Sequence, residues 1–362
     1  MVIYFIVTND LSYDQRMIRI CTSLANSGYT IKLVGRKLNN SIPLIKQPFG
    51  QKRISCLFNK GKLFYIEYNI RVFIYLLFKK MDCICAIDLD TILPSYFISK
   101  IKKISRVYDA HELFCEMKEI VNRPNIFKIW KQIEKFTIPK FVNGYTVSKS
   151  IAAEFYKIYK VDYQVIGNLS VKQDIQIPEK TERYILYQGA VNEGRSFETI
   201  IPAMKFINAS LIICGNGNFM KQAKQLVAEN ELQDKIIFKG YLPPQDLQTY
   251  TLNAWIGINL VDDKGLNNHY SLANRFFDYM HAGIPQLCVD LPSYSEINQQ
   301  FEIAVLIADL SQENISKQIN ILLEDESLYQ RLQNNCLRAK EAFNWQNEEK
   351  KLISFYKTIL PG

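Results

Sequence analysis

The chain has no CxxC pair: its eight cysteines, Cys21, Cys56, Cys83, Cys85, Cys115, Cys214, Cys288 and Cys336, are scattered over 362 residues. A disulfide framework is not expected at this size and spacing, and a reducing, cytoplasmic setting fits best. Cys83 and Cys85 fall in the apolar run MDCICAI, where small apolar side chains suit a buried strand. No segment reaches the ~20 uninterrupted apolar residues of a spanning helix. The nearest approach, residues 72–78, is too short. The opening MVIYFIVTND lacks a basic leader and passes directly into polar residues, which reads as a first strand rather than a signal peptide. No GxGxxG follows residues 2–7, which argues against a dinucleotide oxidoreductase. Internal repeats and low-complexity tracts are missing too.

What is present describes a folded α/β protein. Hydrophobic residues make up 48% and charged residues 22%, the balance of a soluble globular chain, and the length points to two domains. With 21 Tyr and 21 Phe, rings are plentiful enough to build cores and to line sugar or membrane surfaces. The net charge of +8 is divided unevenly: residues 1–170 carry +13 and the remainder −5. Such asymmetry suits an anionic partner, nucleic acid or a lipid surface, and equally suits plain solubilisation.

Strand and helix patterns alternate along the whole chain. Residues 2–7 read as a strand, 13–27 as a helix stopped by Gly28, and 31–34 as a second strand, which is a βαβ unit and implies a parallel sheet. Helices are predicted at 68–80, 93–101, 127–135 and 150–159, the last capped by Ser148 or Ser150, with strands at 83–87, 107–108 and 144–147. After a polar, Pro-containing stretch at 171–182 the pattern restarts. Strands are predicted at 184–188, 210–214, 236–239, 254–258, 286–289 and 304–307, and helices at 220–230, 244–252, 272–282, 311–324 and 344–359. The expected organisation is a domain over 1–170, a linker over 171–182, a second domain over 183–343, and a C-terminal helix, 344–362, packing back toward the first domain. Each half reads as a doubly wound unit.

Three segments of the second half carry chemistry. In YQGAVNEGRSFE (187–198) a strand runs into a glycine-punctuated turn with Arg195 before a helix. Such a turn can offer backbone N–H groups to a phosphate while a guanidinium clamps its oxygens, although many similar turns are only structural. IICGNG (212–217) is another strand ending in glycines, here more simply a tight turn. HYSLANRFFDYMHAGIP (269–285) reads as a loop, a helix starting at about Ser271 and ending at Gly283, and a buried strand. A helix N-terminus suits a diphosphate, and Asp278 lies where it can accept hydrogen bonds from a ribose diol.

These segments, with IFKGYLP (237–243), resemble the donor-binding half of the family 4 retaining glycosyltransferases with the GT-B fold, and residues 271–285 follow the pattern S-L-P-N-K-L-F-E-Y-M-A-A-G-I-P closely. The resemblance covers nearly the whole chain. It implies two Rossmann-like doubly wound domains facing across a cleft. Residue by residue, it implies that Arg195 binds the diphosphate and stabilises its developing charge. Ser271, Leu272, Ala273 and Asn274 would supply phosphate-binding amides, and Asp278 would hold the ribose. Gly189 and Gly215 would line the donor, Tyr241 and Leu242 would enclose the base, and Tyr270 would face the sugar. Two departures stand out: Tyr270 replaces the first glutamate of the family's pair, leaving sugar preference open, and Asp278 is shorter than the second.

In the first half, DAHEL (109–113) places His111 just past a strand, at the edge where parallel sheets bind ligands. A lone histidine is more often structural; the resemblance implies one near the transferred sugar, and so a catalytic role for His111 with Glu112 beside it. The loop TNDLSYDQR (8–16) replaces the family's glycine-rich loop, and Asp10, Asp14, Gln15 and Arg16 are expected to face the acceptor, although Asp14 equally suits a helix cap. Asp88 and Asp90 form a DxD, but at the end of an early strand they are expected to hydrogen-bond or cap a loop in the cleft rather than bind a metal, and Asp88 and Glu112 are expected on the acceptor side. The implied function is retaining transfer of a sugar from a UDP- or GDP-sugar to a glycan or lipid-diphosphate-linked acceptor in surface polysaccharide synthesis. The implied partners are that donor and acceptor and an anionic membrane surface reached through the basic half, with no nucleic acid, cofactor or metal. The expected location is cytoplasmic or peripheral on the inner face of the membrane. The alternatives are a sugar-nucleotide 2-epimerase, for which three histidines are few, and a catalytically silent nucleotide-sugar-binding scaffold.

Overall fold

The structure, a computed structural model, describes residues 1–12, 14–174, 178 and 182–360. Much of the expected linker at 171–182, and the first residue of the helix expected at 13–27, lie outside the described residues. The chain divides into two compact units, Met1–Asn168 with Gln346–Gly362, and Leu169–Trp345.

Unit 1 runs β1 (Val2–Ile6), α1 (Gln15–Asn26), β2 (Thr30–Lys37), β3 (Gly50–Ser55), α2 (Gly61–Leu77), β4 (Cys83–Ile87), α3 (Ile92–Lys102), β5 (Ser105–Ala110), α4 (Lys118–Val121), α5 (Pro124–Thr137), β6 (Gly144–Thr146), α6 (Lys149–Tyr159) and β7 (Gln164–Val165). All seven strands are parallel, in the order β3-β2-β1-β4-β5-β6-β7. The central strands are buried on both faces, which is why β4 reads CICAI with no polar residue. Ser148 is the cap of α6, its Oγ accepting the Ile151 N–H at 3.3 Å. The short edge strands β3 and β7 escape sequence reading because half-exposed edges carry no apolar run.

Unit 2 runs β8 (Tyr184–Gln188), α7 (Phe197–Ala203), β9 (Ser210–Cys214), α8 (Met220–Glu229), β10 (Ile236–Gly240), α9 (Pro244–Asn253), β11 (Ile256–Asn259), α10 (Leu266–His269), α11 (Asn274–His281), β12 (Gln286–Val289), α12 (Pro292–Phe301), β13 (Ala304–Ile307), α13 (Gln312–Glu324) and α14 (Glu326–Ala342). Its six parallel strands are ordered β10-β9-β8-β11-β12-β13. The last helix, α15 (Trp345–Ile359), belongs to unit 1 from Gln346 onward. There Phe355 meets Tyr145 with centroids 5.2 Å apart, and Tyr356 lies 6.0 Å from Phe5.

In both sheets the strand order reverses beside the first strand, between β1 and β4 and between β8 and β11. The carboxyl ends of such strands are where doubly wound sheets form ligand crevices. Among the described residues no helix is long and apolar enough to cross a membrane.

Candidate functional site

In unit 2 the loops after β8 and β9 approach so closely that only glycine fits. A Cβ on Gly215 (φ +150°) would fall 1.8 Å from the Gly189 carbonyl oxygen. The amides of these glycines are already engaged: Gly189 N–H donates to Cys214 O at 2.9 Å and Gly215 N–H to Gly240 O at 2.7 Å. The Gly189 and Gly215 amides are thus spent within these loops, and the second is the tight turn expected from its glycines.

The helix expected to start at Ser271 starts at Asn274 instead, since residues Leu266–His269 close a separate short helix that takes the Ser271 N–H onto Asn268 O at 3.0 Å. The Ala273 N–H donates to Tyr294 Oη at 2.9 Å. Ser271 and Ala273 thus cannot present free amides to a phosphate, while Leu272 packs on the core and Asn274 is exposed. The hydroxyl of Ser271 is buried without a partner. Tyr270 ends α10, its ring 5.0 Å from that of His269. Asp278 is fixed from two sides, accepting from Ser170 Oγ at 2.6 Å and from Gln188 Nε2 at 2.9 Å. Leu242 packs against the cluster around Tyr184, and Tyr241 is exposed.

The cationic part of the site is larger than the sequence reading held. Arg275, in the first turn of α11, is 7% exposed. Its Nε donates to Asn259 Oδ1 at 2.8 Å, and its guanidinium lies over the Tyr187 ring at 4.8 Å. Nη1 reaches the Gln188 carbonyl only at 3.5 Å, and Nη2 is buried with no partner. Half-buried Arg195 is near enough for the two charges to repel: burial first, and then Arg275, hold the Arg195 guanidinium below its ordinary value. Among the described residues neither arginine makes an ion pair; Asp262 instead accepts from Asn268 Nδ2 at 2.7 Å. Two desolvated guanidiniums with no ion pair cost stability unless an anion joins them. The signal for Arg275 was present, since it aligns with the lysine of the S-L-P-N-K-L-F-E pattern.

Unit 1 gathers a second cluster at the carboxyl ends of β1, β4 and β5. Arg16 is buried, its Nη2 2.8 Å from Asp109 Oδ1. His111 sits with Nδ1 3.4 Å from Asp88 Oδ2 and Nε2 3.3 Å from Asp109 Oδ2, and its amide donates to Asp88 Oδ1 at 2.9 Å. Arg16 Nε also lies 2.9 Å from His111 Nε2. A neutral ring would accept that bond; an imidazolium donates instead toward Asp109 Oδ2, which has no other hydrogen-bond partner. Burial opposes charge on the ring, yet Asp88 and Asp109 outweigh it and lift His111 to about 9. Burial and then the charge of Asp88 push Asp90 up to about 7, its Oδ2 accepting from Thr8 Oγ1 at 2.7 Å.

The expected acceptor-facing loop divides. Asp14 is the cap of α1, accepting the Met17 N–H at 3.1 Å and Asn9 Nδ2 at 2.9 Å, while Arg16 points inward to its ion pair and does not face an acceptor. Gln15 is exposed and Glu112 half-buried. Asp10, held by Arg53 Nη2 at 2.7 Å and by the Ser12 and Ser41 hydroxyls, faces a pocket of about 320 Å³ lined also by Asn9, Asp14, Asn40 and Ile42. Asp109 was missed as a member of the cluster; an acid in the fully buried end of a strand is its signal.

Residues 171–338 match the family model described as glycosyl transferases group 1. The O-antigen chain mannosyltransferase RfbU of Salmonella typhimurium is 24% identical over 169 residues, 45% of this chain and 46% of that protein, so the match spans about half the length of the curated relative. Sucrose-phosphate synthase from Thermosynechococcus elongatus superposes with a TM-score of 0.81 at 15% identity, over 99% of this chain and 98% of that one. Anabaena HepE, solved with UDP and glucose, superposes with a TM-score of 0.75 at 11% identity, over 98% and 99%. The chain has the GT-B fold.

Proposed function

We propose that this GT-B chain, whose second unit is a group 1 glycosyltransferase domain, moves a sugar from a nucleotide-sugar donor to a glycan or lipid-linked acceptor in the synthesis of a surface polysaccharide. The observation that carries this reading is the pair Arg195 and Arg275 in the matched domain, neither of which makes an ion pair among the described residues. A diphosphate supplies the missing negative charge, and Asp278 is oriented for a ribose. The mannosyltransferase activity of RfbU and the UDP held by HepE support the same class of donor.

Transfer proceeds with retention in this reading. The anomeric C–O bond loosens while charge grows on the leaving diphosphate, where each guanidinium contributes roughly 3–4 kcal/mol. The acceptor hydroxyl passes its proton to a leaving phosphate oxygen. His111, both of whose ring nitrogens face partners in its own cluster, is not the base in this reading. The two guanidiniums neutralise the diphosphate, so activity is expected to persist in EDTA. The enzyme works in the cytoplasm on an acceptor held at the inner face of the membrane.

The test is incubation with UDP- and GDP-sugars and lipid-diphosphate-linked acceptors, with product and anomeric configuration read by mass spectrometry and NMR. The expected result is glycosylated acceptor, reduced about 10²–10³-fold in Arg195→Ala and in Arg275→Gln. Epimerised free sugar nucleotide, or binding with no turnover, would overturn the reading.

A further inference from the structure

Helix α2 is apolar on two opposite faces. Phe64, Tyr68, Val72 and Leu76 are buried against the sheet of unit 1. Leu63, Ile66, Ile70 and Ile74 recur at spacings of three and four on the reverse face. Ile66, Ile70 and Ile74 are 56%, 54% and 52% exposed, and Phe78 just beyond the helix is 82% exposed. Only the inward face meets the core; the outward face is mainly apolar, interrupted by the Glu67–Arg71 ion pair at 2.7 Å. Helix α3 packs beside α2 and carries exposed Phe97 and Ile101 opposite its own buried residues, so the two outward stripes share one surface.

The border of that surface is cationic. Lys60 and Lys62 stand at the start of α2, Lys80 after its end, and Lys100 and Lys103 on and after α3, all exposed. The acids nearby are neutralised: Glu67 accepts the Leu57 and Phe58 amides and pairs with Arg71 at 2.7 Å, and Asp82 accepts the Val2 N–H at 2.7 Å. A second copy of the chain would bring the same positive charges against each other, whereas an anionic bilayer offers acyl chains to the stripe and phosphates to the lysines.

We infer that the outer face of α2 and α3 is a monotopic docking surface that inserts its isoleucines and phenylalanines into the interface of an anionic membrane. The inference deepens the reading of an acceptor held at a membrane and rests on it for its purpose. The full chain is tested by flotation with vesicles of phosphatidylcholine alone or containing phosphatidylglycerol. Wild type is expected to float with the anionic vesicles. Ile66→Asp with Ile70→Asp is expected to reduce the floated fraction about tenfold or more, and Lys62→Glu with Lys100→Glu to reduce it comparably on anionic vesicles. Both variants are expected to keep the thermal stabilisation by UDP or GDP that unit 2 confers on wild type, which shows that they fold.

Wild type that does not float, or stripe variants that float as well as wild type, overturns the inference. So does a dimer in the absence of lipid that the stripe variants convert to monomer in sedimentation, because a second copy then covers the face. Transfer to an acceptor dispersed in detergent separates the two proposals. Transfer without flotation removes the docking surface alone, and flotation without transfer removes the proposed activity alone.

Discussion

His111 and Asp90 titrate in ways that stability measurements can read. The folded value of His111, about 9, lies above its ordinary 6.5, so the charged ring stabilises unit 1 fully below pH 6.5 and its contribution is lost as pH rises through 9. Asp90, at about 7 against an ordinary 3.8, has the same sign: its contribution is complete below about pH 4 and is lost as pH rises through 7. Thermal midpoints are expected to fall toward alkaline pH, by a few degrees in each window. Asp90→Asn flattens the lower window and His111→Gln the upper, which a melting series from pH 4 to 10 checks. Asp109 acts oppositely: burial works against its charge, but Arg16 and then His111 hold it below the ordinary carboxylate range, so its support fades only in acid. At the other cluster, Arg275→Gln is expected to weaken UDP or GDP binding by about 10–100-fold, the worth of a charge-assisted hydrogen bond, and Arg195→Ala by a similar factor in titration calorimetry. If Arg275→Gln binds as tightly as wild type, the guanidinium is structural.

At the scale of elements, glycine positions govern the turns of unit 2. Gly215→Ala must move the Gly189 carbonyl and break the hydrogen bonds tying β8, β9 and β10 together. A loss of about 3 kcal/mol or more is expected, read as an earlier chemical-denaturation midpoint. These loops also show where sequence reading stops. All strands but the edge strands β3 and β7 were legible, because buried parallel strands are short, mainly apolar runs, as in CICAI and SLIIC. Helices α12 and α14 were not: in α12 Pro292 opens a stretch that keeps only Tyr294 and Ile297 as buried large residues, and α14 is dominated by polar side chains around Tyr329, Leu332 and Cys336. The start of α11 was misplaced by three residues because the bond from Ala273 to Tyr294 is tertiary, and no local pattern announces it. The Arg195–Arg275 pair was half legible for the same reason: residues eighty positions apart meet only through the β8 and β11 ends. The outward stripe of α2 was visible as apolar residues, but only burial distinguishes the face that meets the sheet from the face that does not.

For the whole molecule, unit 1 is built from two separated stretches of chain. Tyr356 is fully buried among Phe5, Tyr29 and Tyr145 of that unit, so Tyr356→Ala is expected to cost about 3–5 kcal/mol there. Differential scanning calorimetry is expected to show a lowered transition for unit 1, while UDP or GDP still stabilises unit 2. The same arrangement sets an order of events during synthesis. A domain at the start of a chain ordinarily folds while the remainder is being made. Here α15 emerges after every residue of unit 2, so the seven-stranded sheet waits with the aromatic surface around Phe5 and Tyr145 uncovered until α15 has been made. Unit 2 is then completed before unit 1, and unit 1 is the one more in need of a chaperone.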